Sequence, residues 1–121
     1  MKICITAQGE NLESQVDPRF GRCAYFLIVD TDTLEFEVIE NGNIAASGGA
    51  GIQSGQLIAS KGVTVVITGN VGPNAFRTLE AADINIITGV SGSIKEVIER
   101  YKAGELKSTQ GPSVDSKFGM S

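Results

Sequence analysis

The sequence predicts a three-layer α/β domain, in which helices cover both faces of one sheet. Short apolar and β-branched runs alternate with helical patterns in the order strand, β-hairpin, helix, strand, helix, strand, helix. Right-handed crossovers place the two later strands parallel to each other in one sheet. The length of 121 residues fits a single domain whose core needs no metal or disulfide.

The first part of the chain predicts a strand followed by a long loop. Residues 2–6 alternate, with Ile3 and Ile5 on one face and Cys4 on the other. Residues 10–22 are polar and follow neither the helical nor the strand period, so they predict a long ordered loop, a kind of segment that is often functional.

A hairpin is predicted from residues 23–30 and 34–40, which flank a turn at 31–33. Its second run alternates apolar residues, which we expect to face inward, with glutamates that face water. These residues are Leu34, Phe36 and Val38 against Glu35 and Glu37.

The rest of the domain alternates helices and strands. The first helix covers residues 52–61 and is stopped by Gly62, and strand 63–68 is apolar on both faces, as in a buried central strand. A second helix begins at Pro73, and a third helix follows strand 84–88. The residues predicted for their buried stripes are Phe76, Leu79 and Ala82, then Ile94, Val97, Ile98 and Tyr101.

The last helix supplies the predicted domain boundary. Ser93 and Glu96 form a capping box at its start, and the helix stops near Gly104. Residues 1–104 are therefore predicted to form one domain, and the polar residues 105–121 a C-terminal tail.

The composition excludes several classes of function. Ten Lys and Arg against fourteen Asp and Glu give a net charge of −4, which disfavours nucleic acid as a partner. No apolar run approaches the roughly 20 residues that cross a bilayer, and no secretory signal is evident, so a cytoplasmic protein without a membrane partner is expected. The chain has no histidine and only two cysteines, which excludes a Ser-His-Asp triad, His-ligated zinc and a complete four-cysteine site. We therefore predict that the protein is not an enzyme.

Three glycine-rich turns, at 48–51, 69–72 and 89–92, precede predicted helices. Helix starts beyond the carboxyl ends of parallel strands present N–H groups to anions, so the turns predict an anion site. The other interpretation is that tight turns need glycine for its backbone freedom. Nucleotide fingerprints are incomplete, because Ser54 stands where the last glycine of G-x-G-x-x-G belongs and no P-loop motif is present.

The loop before the hairpin concentrates two arginines, an aromatic ring and a thiol. Arg19 and Arg22 suit forked hydrogen bonds to an anion, and they would lower the pKa of the Cys23 thiol and make it a better metal ligand. The alternative is a structural loop in which Asp17 neutralises one arginine and Cys23 packs as a small hydrophobe. Cys4 lies in the middle of a strand and is predicted to belong to the core.

A family resemblance rests on the short first strand and on three segments: Asp17-Pro18-Arg19-Phe20-Gly21-Arg22-Cys23, Gly48-Gly49-Ala50-Gly51 and Gly69-Asn70-Val71-Gly72-Pro73-Asn74-Ala75. Together they resemble the dinitrogenase iron-molybdenum cofactor biosynthesis family, also called nitrogenase accessory factor-like proteins. The resemblance covers nearly all of residues 1–104. It implies a ribonuclease H-like fold with a mixed five-stranded sheet of order 3-2-1-4-5, in which strand 2 is antiparallel.

The same resemblance implies non-enzymatic binding or carriage of a molybdenum- or iron-sulfur cluster, or of its precursor. Members of that family that handle such cofactors often carry histidine beside the Phe-Gly element or in the later glycine loop, where this chain has Arg19 and Ala50, so imidazole ligation is not available here. A cluster would instead be held by N–H groups and arginines, with Cys23 as its protein ligand. The implied site residues are Arg19, Phe20, Gly21, Arg22, Cys23, Gly48, Gly49, Gly51, Asn70 and Gly72.

The implied partners are proteins that donate or accept the cofactor, and the chain is either a monomer or a homodimer. A different class of function stays open, namely a sensor or adaptor that binds a small anion without any metal cluster. A nuclease has little support, because metal-dependent cleavage needs clustered carboxylates and the first strand carries none.

Overall fold

In the part of the chain that the structure describes, five strands and three helices follow one another in the order that the sequence predicts. A computed structural model describes residues 1–42, 50–109 and 111. The strands are β1 (Lys2–Ala7), β2 (Tyr25–Asp30), β3 (Phe36–Glu40), β4 (Val65–Ile67) and β5 (Asn85–Ile87). The helices are α1 (Ala50–Ala59), α2 (Pro73–Ala81) and α3 (Ile94–Lys102). None of these helices is long and apolar enough to cross a membrane.

The sheet has the order β3-β2-β1-β4-β5. Strand β2 is antiparallel to β1 and β3, whereas β1, β4 and β5 run parallel. The strand order and the antiparallel β2 that the resemblance implies are confirmed, and the ribonuclease H-like label stays a prediction. Because β1, β4 and β5 point the same way, their last residues, Ala7, Ile67 and Ile87, lie along one side of the sheet, which we call the carboxyl edge.

Apolar side chains fill both faces of the sheet, as the strand patterns predict. Cys4 of β1 packs on one face with Ile58 of α1 and Leu79 of α2. Ile3 and Ile5 pack on the opposite face in one cluster with residues of α3, which include Ile94, Val97 and Ile98. The central strand β4 is buried on both faces, so its backbone is held firmly under the loops of the carboxyl edge.

Two predictions about apolar positions are wrong. Leu34 and Phe36 do not face inward but are 42% and 39% exposed, because Leu34 lies in the turn with φ of 63° and Phe36 begins an edge strand. Ala82 is exposed because α2 ends one residue earlier, and Ala82 is its C-cap. The buried residues of α2 are Ala75, Phe76 and Leu79.

The segment after α3 lies beside β5. The amide of Thr109 donates to the Ile86 carbonyl at 2.6 Å, and the Thr109 hydroxyl accepts from the amide of Thr88 at 3.0 Å. Leu106 packs against the same apolar cluster as α3. This segment therefore covers the outer edge of β5, and the domain boundary at residue 104 stays a prediction.

Candidate anion-binding site at the carboxyl edge

The loop between β1 and β2 crosses the carboxyl edge and is tied to the loops that follow β4 and β5. The amide of Val16 donates to the Gly92 carbonyl at 2.9 Å, and the amide of Phe20 donates to the Asn70 carbonyl at 3.2 Å. The Asn70 side chain in turn donates to the Pro18 carbonyl at 3.2 Å. Three segments that are distant in sequence are thus held together as one surface.

Gly69 allows the closest of these approaches. A Cβ atom at this position would lie 2.7 Å from the Cα of Pro18 and 2.9 Å from its carbonyl oxygen. No side chain fits there, so the β1–β2 loop descends onto the end of β4 only because residue 69 is glycine. Gly72, the N-cap of α2, has φ of −83° and ψ of 172°, which any residue adopts, so its backbone angles do not require glycine.

Asp17 organises the loop from beneath. Its side chain is 5% exposed, and its two carboxylate oxygens accept from the amides of Arg19 at 3.0 Å and Ala24 at 3.2 Å. Its carbonyl accepts from the hydroxyl of Thr6 at 2.7 Å, and the hydroxyls of Thr6 and Thr68 are hydrogen-bonded to each other at 2.8 Å. One buried carboxylate therefore closes the loop on itself, and two buried threonines fix it over β1 and β4.

Asn41 and Ser54 hold the second half of the loop, and the sequence analysis missed both roles. Asn41 is 3% exposed, and its side-chain amide donates to the carbonyls of Gly21 at 3.1 Å and Cys23 at 2.8 Å. The Ser54 hydroxyl donates to the same Gly21 carbonyl at 3.4 Å. In the sequence, Asn41 is a polar residue directly after β3, and this position is the signal that could have indicated its role. Its partners, Gly21 and Cys23, lie about twenty residues earlier in the chain, and no local pattern indicates them.

The two predicted arginines lie on this loop in different surroundings. Arg19 pairs through a backbone bridge with Asn70, and its side chain is 40% exposed. Its Nε lies 3.6 Å from the Asp17 carboxylate, so the alternative in which Asp17 neutralises one arginine is present in the structure. Arg22 is half-buried. Both cations therefore belong to the loop that Asp17 and Asn41 shape.

Cys23 and Phe20 lie in the core instead of at a binding surface. Cys23 is fully buried, and burial raises the pKa of its thiol well above the usual value, with nearby Cys4 and Asp17 raising it further. The expected lowering of the Cys23 pKa is wrong, because desolvation outweighs the attraction of Arg19. Phe20 is 1% exposed and packs on Phe26 with ring centres 5.6 Å apart, so its ring contributes to stability and not to a binding surface.

Burial likewise raises the pKa of the Cys4 thiol, as expected of the core residue that the sequence predicts. Both cysteines are free thiols. Within residues 1–42, 50–109 and 111, no three His, Cys, Asp or Glu side chains are grouped so that they could hold a metal ion. The described part of the site therefore offers cations and N–H groups to a ligand.

The predicted glycines of the first turn divide into two cases. Gly48 and Gly49 lie outside the described residues. Gly51 lies inside the first turn of α1, where a Cβ atom would be 3.2 Å from the Cβ of Ala75 in the first turn of α2. Its lack of a side chain is thus explained by close helix packing. The same contact shows that α1 and α2 begin side by side at the carboxyl edge.

The fold defines a class of protein: a small mixed α/β domain in which a loop that carries two arginines meets the starts of two helices at the carboxyl edge. The model of the family described as "Dinitrogenase iron-molybdenum cofactor" matches residues 1–104. The chain belongs to this family, which is linked to the biosynthesis of the iron-molybdenum cofactor.

Relatives with known sequences or structures extend over nearly the whole chain. An uncharacterised protein of Methanocaldococcus jannaschii is 34% identical over 110 residues, which cover 88% of this chain and 90% of that protein. The apo form of the orange protein from Desulfovibrio gigas is 38% identical with a TM-score of 0.90, and the match covers 93% of this chain and 96% of that one. A Thermotoga protein described as NifB-like and assigned to the DUF35 family is 37% identical with a TM-score of 0.79, over 93% and 98% of the two chains.

Proposed function

We propose that this protein binds and carries a small anionic metal-sulfur cluster, either an iron-molybdenum cluster or a precursor of one, without catalysing a reaction on it. The observation that carries the proposal is the placement of Arg19 and Arg22 on a loop that is tied to Asn70 at the carboxyl edge. The chain has a net charge of −4, so two cations within residues 19–22 form a local exception. Family membership and the apo description of the orange protein support a bound group of this kind.

The cluster in this proposal is cargo that non-covalent contacts hold. Guanidinium groups donate forked hydrogen bonds to anions, and N–H groups at a helix start favour negative charge. Asn70 and Gly72 lie directly before α2, and Gly51 lies in the first turn of the adjacent α1. We assign no bond to Cys23, because its buried thiol remains protonated at neutral pH. A site without a protein–metal bond releases its cargo readily, as a carrier must.

The proposal has a direct test with a matched control. The purified chain is incubated anaerobically with iron, sulfide and tetrathiomolybdate and then desalted, and its visible absorption and metal content are measured. We expect retained colour in the parent and in Cys23→Ala, and loss of colour in the double variant Arg19→Gln, Arg22→Gln. Each charged hydrogen bond lost is worth about tenfold in affinity. The control is Arg77→Gln, which removes an exposed arginine of α2 that donates a hydrogen bond to Asn74 of the same helix.

Two outcomes would contradict the proposal. If the double arginine variant keeps its colour, the cations do not hold the cluster. If Cys23→Ala alone abolishes binding, the thiol is a ligand, and the loop must open to expose it. The same proposal includes proteins that donate the cluster to this chain or accept it, and a carrier that is either a monomer or a homodimer.

A second function is favoured by the shortage of metal ligands among the described residues. The same arginines and helix starts would bind a small metal-free anion in a sensor or adaptor. Phosphate or molybdate would then raise the unfolding temperature in proportion to the logarithm of its concentration. The desalted protein would stay colourless after incubation with iron, sulfide and tetrathiomolybdate.

A further inference from the structure

The two outer edges of the sheet differ in their surroundings. The edge of β5 is covered by the chain itself, because Thr109 bonds to Ile86 and Thr88. Strand β3 forms the other edge, and no residue that the structure describes pairs with its outer side. An open strand edge is a template for another strand, so proteins either protect it or use it.

The hydrogen-bond register shows which groups of β3 are open. The amide of Asp30 donates to the Glu35 carbonyl at 2.9 Å, and the amide of Asn41 donates to the Ala24 carbonyl at 3.1 Å. Bonded residues alternate in an antiparallel pair, so every second residue from 35 to 41 points its backbone groups toward β2. Phe36, Val38 and Glu40 therefore point their N–H and C=O groups outward, which gives three donors and three acceptors along the open edge.

A cleft lined by three carboxylates lies beside this edge. It has a volume of about 260 Å³ and is lined by Lys2, Ile28, Asp30, Glu35, Phe36 and Glu37. Three carboxylates and the Lys2 ammonium group thus share the cleft with the apolar side chain of Ile28, whereas the ring of Phe36, which is registered with Val29, points to the opposite face of the sheet. Lys61 lies 3.3 Å from Glu37, and the N-terminal amine lies 3.9 Å from Asp30, but among the described residues no ion pair involves Glu35.

We propose that β3 and its cleft bind an extended segment of a partner protein in which basic residues alternate with apolar ones. The segment would add a sixth strand by pairing with Phe36, Val38 and Glu40, the mode of recognition known as β-augmentation. One lysine or arginine of the partner would enter the cleft, with its aliphatic stem over Ile28 and its charge beside Glu35. The exposed Phe36 would be covered in the same step.

The glutamates of residues 35–40 disfavour pairing of β3 with a second copy of this chain. Glu35, Glu37 and Glu40 are all exposed, and pairing of two β3 strands would bring six glutamates to one seam. The net charge of −4 on each copy adds repulsion. A partner segment with basic residues would remove this repulsion. This proposal does not depend on which ligand the carboxyl edge binds.

The test uses the full ¹⁵N-labelled chain and two synthetic peptides, Thr-Lys-Val-Arg-Val-Lys-Thr and Thr-Glu-Val-Glu-Val-Glu-Thr. We expect the basic peptide to shift the amide signals of β3 and to slow hydrogen exchange at the outward amides of Phe36, Val38 and Glu40. The acidic peptide should do neither. Slowed exchange at alternate residues is the signature of strand pairing, which charge attraction alone does not produce.

Three variants distinguish the cleft from general acidity. Glu35→Gln with Glu37→Gln should weaken binding of the basic peptide about fivefold, as expected for two exposed ion pairs. The control, Glu10→Gln with Glu13→Gln, changes the net charge equally at exposed positions of the β1–β2 loop and should leave affinity unchanged. Val38→Pro removes an outward N–H while keeping the bonds to β2, and should abolish the exchange protection.

Three results would overturn the proposal. One is a shift of amide signals without slowed exchange in β3. Another is equal weakening by the two pairs of glutamate variants. The third is protection of the β3 amides that depends on protein concentration without any peptide, which would show that a second copy is the occupant.

Discussion

Replacement of Gly69 by alanine should separate the β1–β2 loop from the end of β4. The added Cβ would lie 2.7, 2.9 and 3.2 Å from the Cα, O and C atoms of Pro18, all of them backbone atoms that cannot rotate away. Ordinary carbon contacts lie near 3.5–4.0 Å, so the loop must rise by about 1 Å. A shift of that size breaks the bond from the Phe20 amide to the Asn70 carbonyl, which is already 3.2 Å long, and the bond from Asn70 to Pro18.

The expected cost of Gly69→Ala is about 3 kcal/mol in the free energy of unfolding. Overpacking of this kind costs about 1–3 kcal/mol, and two lost hydrogen bonds add about 1 kcal/mol each, part of which relaxation recovers. Urea unfolding followed by circular dichroism measures the difference directly. The loop amides of residues 18–20 should also shift in ¹⁵N spectra, since they lose their positions over β4.

Gly42→Ala is the matched control, because a Cβ at Gly42 would meet nothing within 4 Å. The two variants make the same chemical change, and alanine at the open position should alter stability by no more than about 0.5 kcal/mol. If Gly69→Ala costs no more than Gly42→Ala, the loop is not pressed against β4, and the reasoning for a preformed carboxyl edge fails.

Three further predictions concern groups outside that contact. Iodoacetamide at pH 8 should modify Cys4 and Cys23 only as fast as the whole protein unfolds, because burial raises the pKa of both thiols. Mass spectrometry measures the modification, and rapid labelling of the native protein would contradict this prediction. Asn41→Ala should lower the free energy of unfolding by about 2 kcal/mol, because the carbonyls of Gly21 and Cys23 lose their hydrogen bonds from the Asn41 side chain; a stability unchanged in urea unfolding would refute the role of Asn41. The pKa of Asp30 is lowered, chiefly by a backbone N–H bond, so its contribution to stability is present above about pH 4 and lost as the pH falls below it. Asp30→Asn should therefore flatten the acid limb of a stability–pH curve, and an unchanged limb would exclude this contribution.

Most of the fold follows from local patterns in the sequence. Ile3 and Ile5 alternate with Cys4 and lie on the opposite face of the sheet, as a period of two requires. The cap of α3 is equally local, since Ser93 accepts from the amide of Glu96 at 3.2 Å. The patterns fail at ends and edges, where Leu34 and Phe36 look like core residues but have no element to cover them.

The candidate site was only partly predictable, because its geometry depends on contacts between distant residues. The residue types of Arg19 and Arg22 indicate an anion site without any structure. Whether Cys23 is a ligand or a core residue depends on burial, which its neighbours in sequence do not reveal. The Asn41 side chain donates to the carbonyl of Gly21, twenty residues earlier, and this bond becomes evident only in the folded structure.

The ties across the carboxyl edge also set when this edge can form during folding. The Ser14 carbonyl accepts from the amide of Ile94, and that of Leu12 accepts from Lys95, so these bonds join positions about eighty residues apart. Such closures carry a large entropic cost until the strands between them have paired. We therefore expect the loop to remain unstructured on a ribosome until α3 has emerged, so that an incomplete chain cannot take up a ligand at this edge.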